Sequence, residues 1–264
     1  MRWKHPTDLK VGDALTTCLD YALSHNVEHL SIDTGDLDDY PCKISFACLK
    51  TLHLRRCQNL PMMDYWTMPS LTSFYLEVVS IGNQILGFEN LKELTLVENC
   101  TGRFHAETIT INCLKLQSLT LNPVDRHTFI VSAPSLYYLS YCSRHVSALF
   151  ARDGFPCKTQ VYIDIRKNNG EFFKCYIDRP YLTLLKLVIQ NFILMLKAAS
   201  ETPFLELSSE TIEGLQMIYS QLSKYEHSSL GNLKILSLRG PGLFDMQPPR
   251  TNYVIDDIRN YVDF

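Results

Sequence analysis

Little in this sequence leans to one sign of charge. Its 25 lysines and arginines against 28 aspartates and glutamates leave a formal net charge of −3, so no bulk field draws it to nucleic acid or anionic lipid. Long basic runs are missing; Arg55-Arg56 is the densest basic pair near the repeated segments described below. The nine cysteines are an odd number and none forms a CxxC pair. Cys42, Cys48 and Cys57 lie close together without zinc-finger spacing. Met1-Arg-Trp-Lys-His-Pro6 lacks the apolar stretch of a secretory signal. These absences read as reduced thiols in the cytosol or nucleus, used as small core hydrophobes. The most apolar window, Leu182 to Ala199, is interrupted by Lys186, Gln190, Asn191 and Lys197, which excludes an ordinary membrane span.

Signatures of catalysis are missing too. There is no GxxxxGK[ST] loop, GxGxxG turn, HExxH helix or GxSxG elbow. Asp36-Leu-Asp-Asp39 is acidic but lacks calcium-loop spacing, and reads as a solvated connector. No histidine reads as half of a convergent local pair with a carboxylate or thiol, so a catalytic group would have to assemble from distant segments. The sequence predicts no enzyme, no cofactor and no metal site.

What the chain does have is a repeated frame. Leu49-Lys-Thr-Leu52-His-Leu54-Arg-Arg-Cys57 fits LxxLxLxxN/C at every defined position. The frame recurs at Val27-xx-Leu30-x-Ile32, Leu71-xx-Phe74-x-Leu76, Leu91-xx-Leu94-x-Leu96-xx-Asn99, Leu116-xx-Leu119-x-Leu121 and Leu136-xx-Leu139-x-Tyr141. Starts at 27, 49, 71, 91, 116 and 136 fall within the roughly 20–29 residues of a leucine-rich repeat. One frame cannot bury its own leucines, so successive frames must stack their strands about 4.8 Å apart around a shared interior. The predicted fold is therefore α/β: a leucine-rich-repeat solenoid with a short-stranded parallel sheet on its concave face, an irregular loop-rich convex side and an N-terminal capping helix. The Asn/Cys slot, filled here by Cys57 and Asn99, is expected to serve loop backbone.

Along the chain, Asp13 reads as the N-cap of a helix over 13–25, with Leu15, Cys18, Leu19 and Ala22 on one face. Pro and Gly punctuate the connectors, which predicts loops and single turns there, with Asn83 and Gln84 on a convex-side loop. Val161–Ile165 and Phe173–Ile177 alternate strictly around Asn168-Asn-Gly170, predicting a hairpin that pairs Ile165 with Phe173, Ile163 with Cys175 and Val161 with Ile177. The frame resumes at Leu182-xx-Leu185-x-Leu187, Thr202-xx-Leu205-x-Leu207 and Leu233-xx-Leu236-x-Leu238. Ser209 to Lys224 reads as a helix capped by Ser209, and 254–262 as a short closing helix. Three parts result: an N-terminal segment 1–26, a solenoid 27–244 that is irregular after 145, and a tail 245–264.

Strand side chains alternate, so residues between the frame leucines face outward. This selects His53, Arg55, Tyr75, Glu77, Glu93 and Thr95 as the candidate partner-binding set, on repeats flanked by regular neighbours. A parallel sheet with one open face invites a partner, and Arg and Tyr are residue types enriched at interfaces. The expected occupant is a protein; a small-molecule sensor with a polar pocket under the concave face is the alternative.

Asn26-Val-Glu-His-Leu-Ser-Ile32, Cys48-Leu-Lys-Thr-Leu-His-Leu-Arg-Arg-Cys57, Met68-Pro-Ser-Leu-Thr-Ser-Phe-Tyr-Leu76, Leu91-Lys-Glu-Leu-Thr-Leu96, Cys113-Leu-Lys-Leu-Gln-Ser-Leu-Thr-Leu121 and Ala133-Pro-Ser-Leu-Tyr-Tyr-Leu139 resemble the repeat portion of plant F-box/LRR-repeat proteins, including the group with an FBD tail. The resemblance covers roughly 10–145. It implies a substrate-recognition domain of an SCF-type ubiquitin ligase, in which an F-box binds a Skp-type linker and so a cullin. Met1–Gly12 is too short to hold an F-box, so the linker and cullin are expected as partners only with an F-box upstream. Otherwise an F-box-less paralogue, a decoy or an incomplete gene product is expected.

Overall fold

A computed structural model describes residues 11–33, 45–57, 66–78, 84–99, 108–124, 127–166, 190–192, 194–195, 198–199, 202–214 and 235–239. The chain forms α1 (Val11–Ser24) and then strands β1 (His29–Asp33), β2 (Thr51–Cys57), β3 (Ser73–Val78), β4 (Gln84–Leu86), β5 (Glu93–Glu98), β6 (Thr108–Asn112), β7 (Ser118–Asn122), β8 (Thr128–Ser132), β9 (Tyr138–Ser143), β10 (Ala148–Ala151), β11 (Gln160–Ile165), β12 (Phe204–Ser208) and β13 (Ile235–Arg239). They build a parallel β-solenoid of two sheets. The larger has nine strands in the order β1-β2-β3-β5-β7-β9-β11-β12-β13, and the smaller has four, β10-β8-β6-β4.

The leucine frames set the register of the larger sheet. Leu30, Leu52, Phe74, Leu94, Leu119, Leu139, Val161, Leu205 and Leu236 form one unbroken row across its nine strands. From Leu52 to Leu205 every member of that row is at most 2 % exposed. Leu52 and Leu94 thus lie in near-adjacent strands inside, while Thr51 and His53 are half-buried and Arg55 is exposed. The first leucine of a frame is delivered by a tight turn: Leu71, Leu91, Leu116 and Leu136 donate their N–H to the carbonyl three residues earlier. Met68-Pro-Ser-Leu71 and Ala133-Pro-Ser-Leu136 carry proline at the second turn position, where its fixed φ fits. The carbonyls of Glu28, Lys50, Thr72, Lys92 and Gln117 each accept two successive N–H groups from the next strand. This fastens one turn of the solenoid to the next.

Several expectations change. The connector side holds more than loops and single turns: among the described residues β4, β6, β8 and β10 form a second parallel sheet, and Gln84 opens β4. Thr108-Ile-Thr-Ile-Asn112 and Thr128-Phe-Ile-Val-Ser132 alternate just as a half-buried strand does. The predicted hairpin does not form as drawn, because both edges of β11 are occupied. Val161 and Ile163 pair with Leu139 and Tyr141 on one side and with Leu205 and Leu207 on the other; Phe173–Ile177 lies outside the described residues. The frame at Leu182–Leu187 lies outside the described residues, and β11 pairs directly with β12. Helical residues follow at 190–192, 194–195 and 198–199, burying Asn191, Met195 and Ala199 at four-residue intervals.

Helix ends also move. α1 starts at Val11, which puts Asp13 inside its first turn. The helix buries Leu19 and Ala22 and closes with Asn26 at φ 50. Val27 N–H reaches Ala22 O at 3.2 Å and Asn26 N–H reaches Leu23 O at 3.4 Å, the paired bonds of a Schellman ending. The helical residues 209–214 are capped by Ser208 rather than Ser209: Ser208 Oγ accepts the Thr211 N–H at 3.1 Å. The remainder of that helix and the closing helix at 254–262 lie outside the described residues. Among the described residues no helix is long and apolar enough to cross a membrane.

Candidate interaction surface

The outward side of the larger sheet carries the six predicted residues, and the register brings five of them together. His53, Tyr75 and Thr95 stand side by side on β2, β3 and β5. The His53 and Tyr75 rings are 5.6 Å apart at 58°. Arg55 sets its guanidinium carbon 5.5 Å from the Tyr75 ring centre, within reach of a cation–π attraction. Tyr75 donates its hydroxyl to Glu77 Oε2 at 3.2 Å, and Asn99 Nδ2 donates to Glu77 Oε1 at 2.5 Å. Burial raises the Tyr75 phenol above its ordinary pKa, and the neighbouring Glu77 charge adds to this. Glu93 stands apart, one pleat away, in register with Ser73 and Ser118.

A bulge shapes this patch. Leu54 pairs with Leu76, yet Cys57 pairs with Val78, so β2 carries one extra residue. Uninterrupted alternation would turn Arg56 inward after Leu54 and push Cys57 outward. The bulge, with Arg56 at φ 55, reverses both: Arg55 and Arg56 are exposed and Cys57 is fully buried. Arg56 Nε then meets Asp33 Oδ1 at 2.6 Å on β1.

Farther along the face, Asp164 Oδ2 accepts hydrogen bonds from Cys142 Sγ at 3.3 Å and Arg166 Nε at 2.9 Å. Burial, reinforced by the Asp164 charge, pushes the Cys142 thiol up to about 12, so it stays protonated. This is a hydrogen-bonded neutral donor and not an activated nucleophile.

No family model matches this chain, and neither a curated protein nor a solved structure does.

The asparagine slot behaves differently from its expectation. Asn99 is exposed and binds the Glu77 side chain; its buried neighbour Glu98 is the one that serves backbone, accepting the Val124 N–H at 2.9 Å. Glu98 also meets His127, an inter-repeat carboxylate–imidazole pair that no local spacing reveals. A signal was present: Leu94, Leu96 and Glu98 share inward parity on β5, and a carboxylate there demands a partner.

Proposed function

We propose that this chain is a non-catalytic protein-interaction solenoid built from leucine-rich repeats. Its outward nine-stranded face is the concave recognition surface, and α1 covers the first repeat. The observation that carries the reading is the register of Arg55, Tyr75 and Glu77: one aromatic ring held between a guanidinium and a carboxylate on a partly open sheet face. Arg and Tyr anchors with pre-set rotamers lose little entropy on docking, which is what concentrates binding energy in a few residues. The resemblance of the frames to plant F-box/LRR-repeat proteins assigns the face to substrate recognition of the SCF-type ubiquitin-ligase class. On this reading a Skp-type linker and a cullin join only through an F-box upstream of Met1. The free thiols of Cys48, Cys57, Cys113, Cys142 and Cys157 fit a reducing cytosol or nucleus.

Affinity capture with the tagged full chain tests this. The wild type and an Arg152→Ala control, altered in the exposed turn after β10, should retain the same protein, and Arg55→Ala/Tyr75→Ala should lose it. Retention by all three chains counts against the surface.

A further inference from the structure

The buried apolar rows of the larger sheet fade at β1. Leu52 and Leu54 on β2 are 2 and 3 % exposed, whereas Leu30 and Ile32, their register partners on β1, are only half-buried. α1 gives the core Leu19 and Ala22, yet the first strand stays incompletely covered. The last turn of α1 adds Tyr21 and Leu23, both exposed. In a stacked array each unit buries its apolar face against its neighbours, so the first unit keeps one side open to a further partner.

The backbone of β1 is open on that side as well. The Glu28 carbonyl accepts the N–H groups of Lys50 and Thr51, and Leu30 and Ile32 stand in register with Leu52 and Leu54. Alternate residues of a strand in a parallel ladder bond the same neighbour, so Glu28, Leu30 and Ile32 face β2. The N–H and C=O groups of His29 and Ser31 therefore point to the other edge, where among the described residues no strand lies. Devices that blunt an edge are missing from β1: it has no proline or lysine, no charge on its inward side and no bulge in its pairing with β2.

The strand also matches itself in reverse. Set antiparallel about Ser31, Leu30 of one copy meets Ile32 of the other, twice over, at the closely approaching positions of the ladder. Ser31 meets Ser31 at a position where both N–H···O=C bonds are exchanged. Like charges do not meet: His29 comes opposite Asp33, which keeps its bond to Arg56.

We propose that β1 pairs in this register with β1 of a second copy of the chain, making a twofold dimer joined sheet to sheet. A second copy fits better than an unrelated strand because one register serves both edges and both apolar residues at once. The twofold axis runs through the Ser31 pair, normal to the sheet, and keeps the two outward faces on one side. The dimer thus presents two copies of that face to a partner, although the pairing itself does not depend on the recognition reading. Five residues a side make a small contact, so the dimer forms reversibly with concentration.

Sedimentation velocity of the full chain over a wide concentration range, under reducing conditions, tests the proposal. The mass should rise from one chain to two. Ser31→Pro removes an N–H that β2 does not use, and edge strands accept proline at such positions. It should raise the dissociation constant about tenfold or more, the scale of two lost backbone hydrogen bonds. Ser31→Ala keeps the N–H and should associate as the wild type does, with circular dichroism and thermal unfolding alike in all three chains. A cysteine trap reads the register without proline. Ser31→Cys sets two Cα atoms about 5.5 Å apart, inside disulfide range, whereas His29→Cys sets them about 14 Å apart. Under mild oxidation Ser31→Cys should link two chains through residue 31, located by peptide mapping, and His29→Cys should not link them through residue 29. A wild type that stays monomeric at every concentration, undiminished association of Ser31→Pro, or equal crosslinking through 29 and 31 would overturn the proposal.

Discussion

His127 Nε2 lies 3.0 Å from Glu98 Oε2, with both side chains fully buried and the two residues 29 positions apart in the chain. Glu98 ends β5 of the larger sheet and His127 immediately precedes β8 of the smaller one, so the pair ties the two sheets together across the interior. The Val124 N–H supplies Glu98 with a second partner at 2.9 Å, and Phe129 sets its ring edge-on to the imidazole at 5.9 Å. A polar pair at this depth survives only because each group answers the other.

Removing one partner should therefore cost more than removing both. His127→Ala leaves a buried carboxylate with its imidazole gone and should destabilise by about 3–5 kcal/mol. Glu98→Leu/His127→Leu, which deletes both polar groups, should cost clearly less than the sum of the two single replacements. Urea unfolding of the wild type, Glu98→Leu, His127→Leu and the double variant measures the coupling; strict additivity would mean the two residues act independently.

In the apolar rows, Leu52→Ala and Leu94→Ala should each cost about 2–5 kcal/mol, because each opens a cavity in a close-packed interior. Thr51→Ala, half-buried on the same strand as Leu52, should change stability by under about 0.5 kcal/mol, as surface replacements do. Denaturant midpoints at matched slopes read the difference.

Much of this was legible beforehand. The frames located the strands of the larger sheet because the leucine spacing states which side chains must go inward, and a strand has no other way to bury positions two apart. Alternation cannot say which way a neighbour runs. Val161–Ile165 therefore read as half of an antiparallel hairpin, although its edges join β9 and β12 in parallel. Thr108–Asn112 and Thr128–Ser132 lie between the leucine frames and so read as connectors, although their own alternation turns Ile109, Ile111, Phe129 and Val131 inward. The outward placement of the candidate residues His53, Arg55, Tyr75, Glu77 and Thr95 follows from parity alone. The reversal at Arg56–Cys57 and the link from Asn99 to Glu77 depend on a bulge and a neighbouring strand, which no single segment encodes.

Thiol chemistry should divide along the same lines. A thiol raised to about 12 by burial and by Asp164 is protonated throughout the physiological range, and only the thiolate attacks. Iodoacetamide at pH 8 should label exposed Cys48 and Cys157 well before Cys142. Asp164→Asn removes the neighbouring charge and should lower the Cys142 pKa, speeding its labelling as the pH rises. Peptide mapping by mass spectrometry follows each site; rapid labelling of Cys142 in the unaltered chain would contradict the hydrogen-bonded arrangement.

The claim that the outward face of the nine-stranded sheet is the recognition surface meets its most direct test in one binding titration. A captured partner is titrated against Arg55→Ala/Tyr75→Ala and, alongside, against Phe150→Ala/Arg152→Ala, whose residues are exposed at β10 of the smaller sheet and in the turn after it. The first pair should weaken binding by about 2–4 kcal/mol, as hot-spot residues do, and the second by under about 0.5 kcal/mol. Equal affinities for the two double variants would move the site off this sheet and contradict the account.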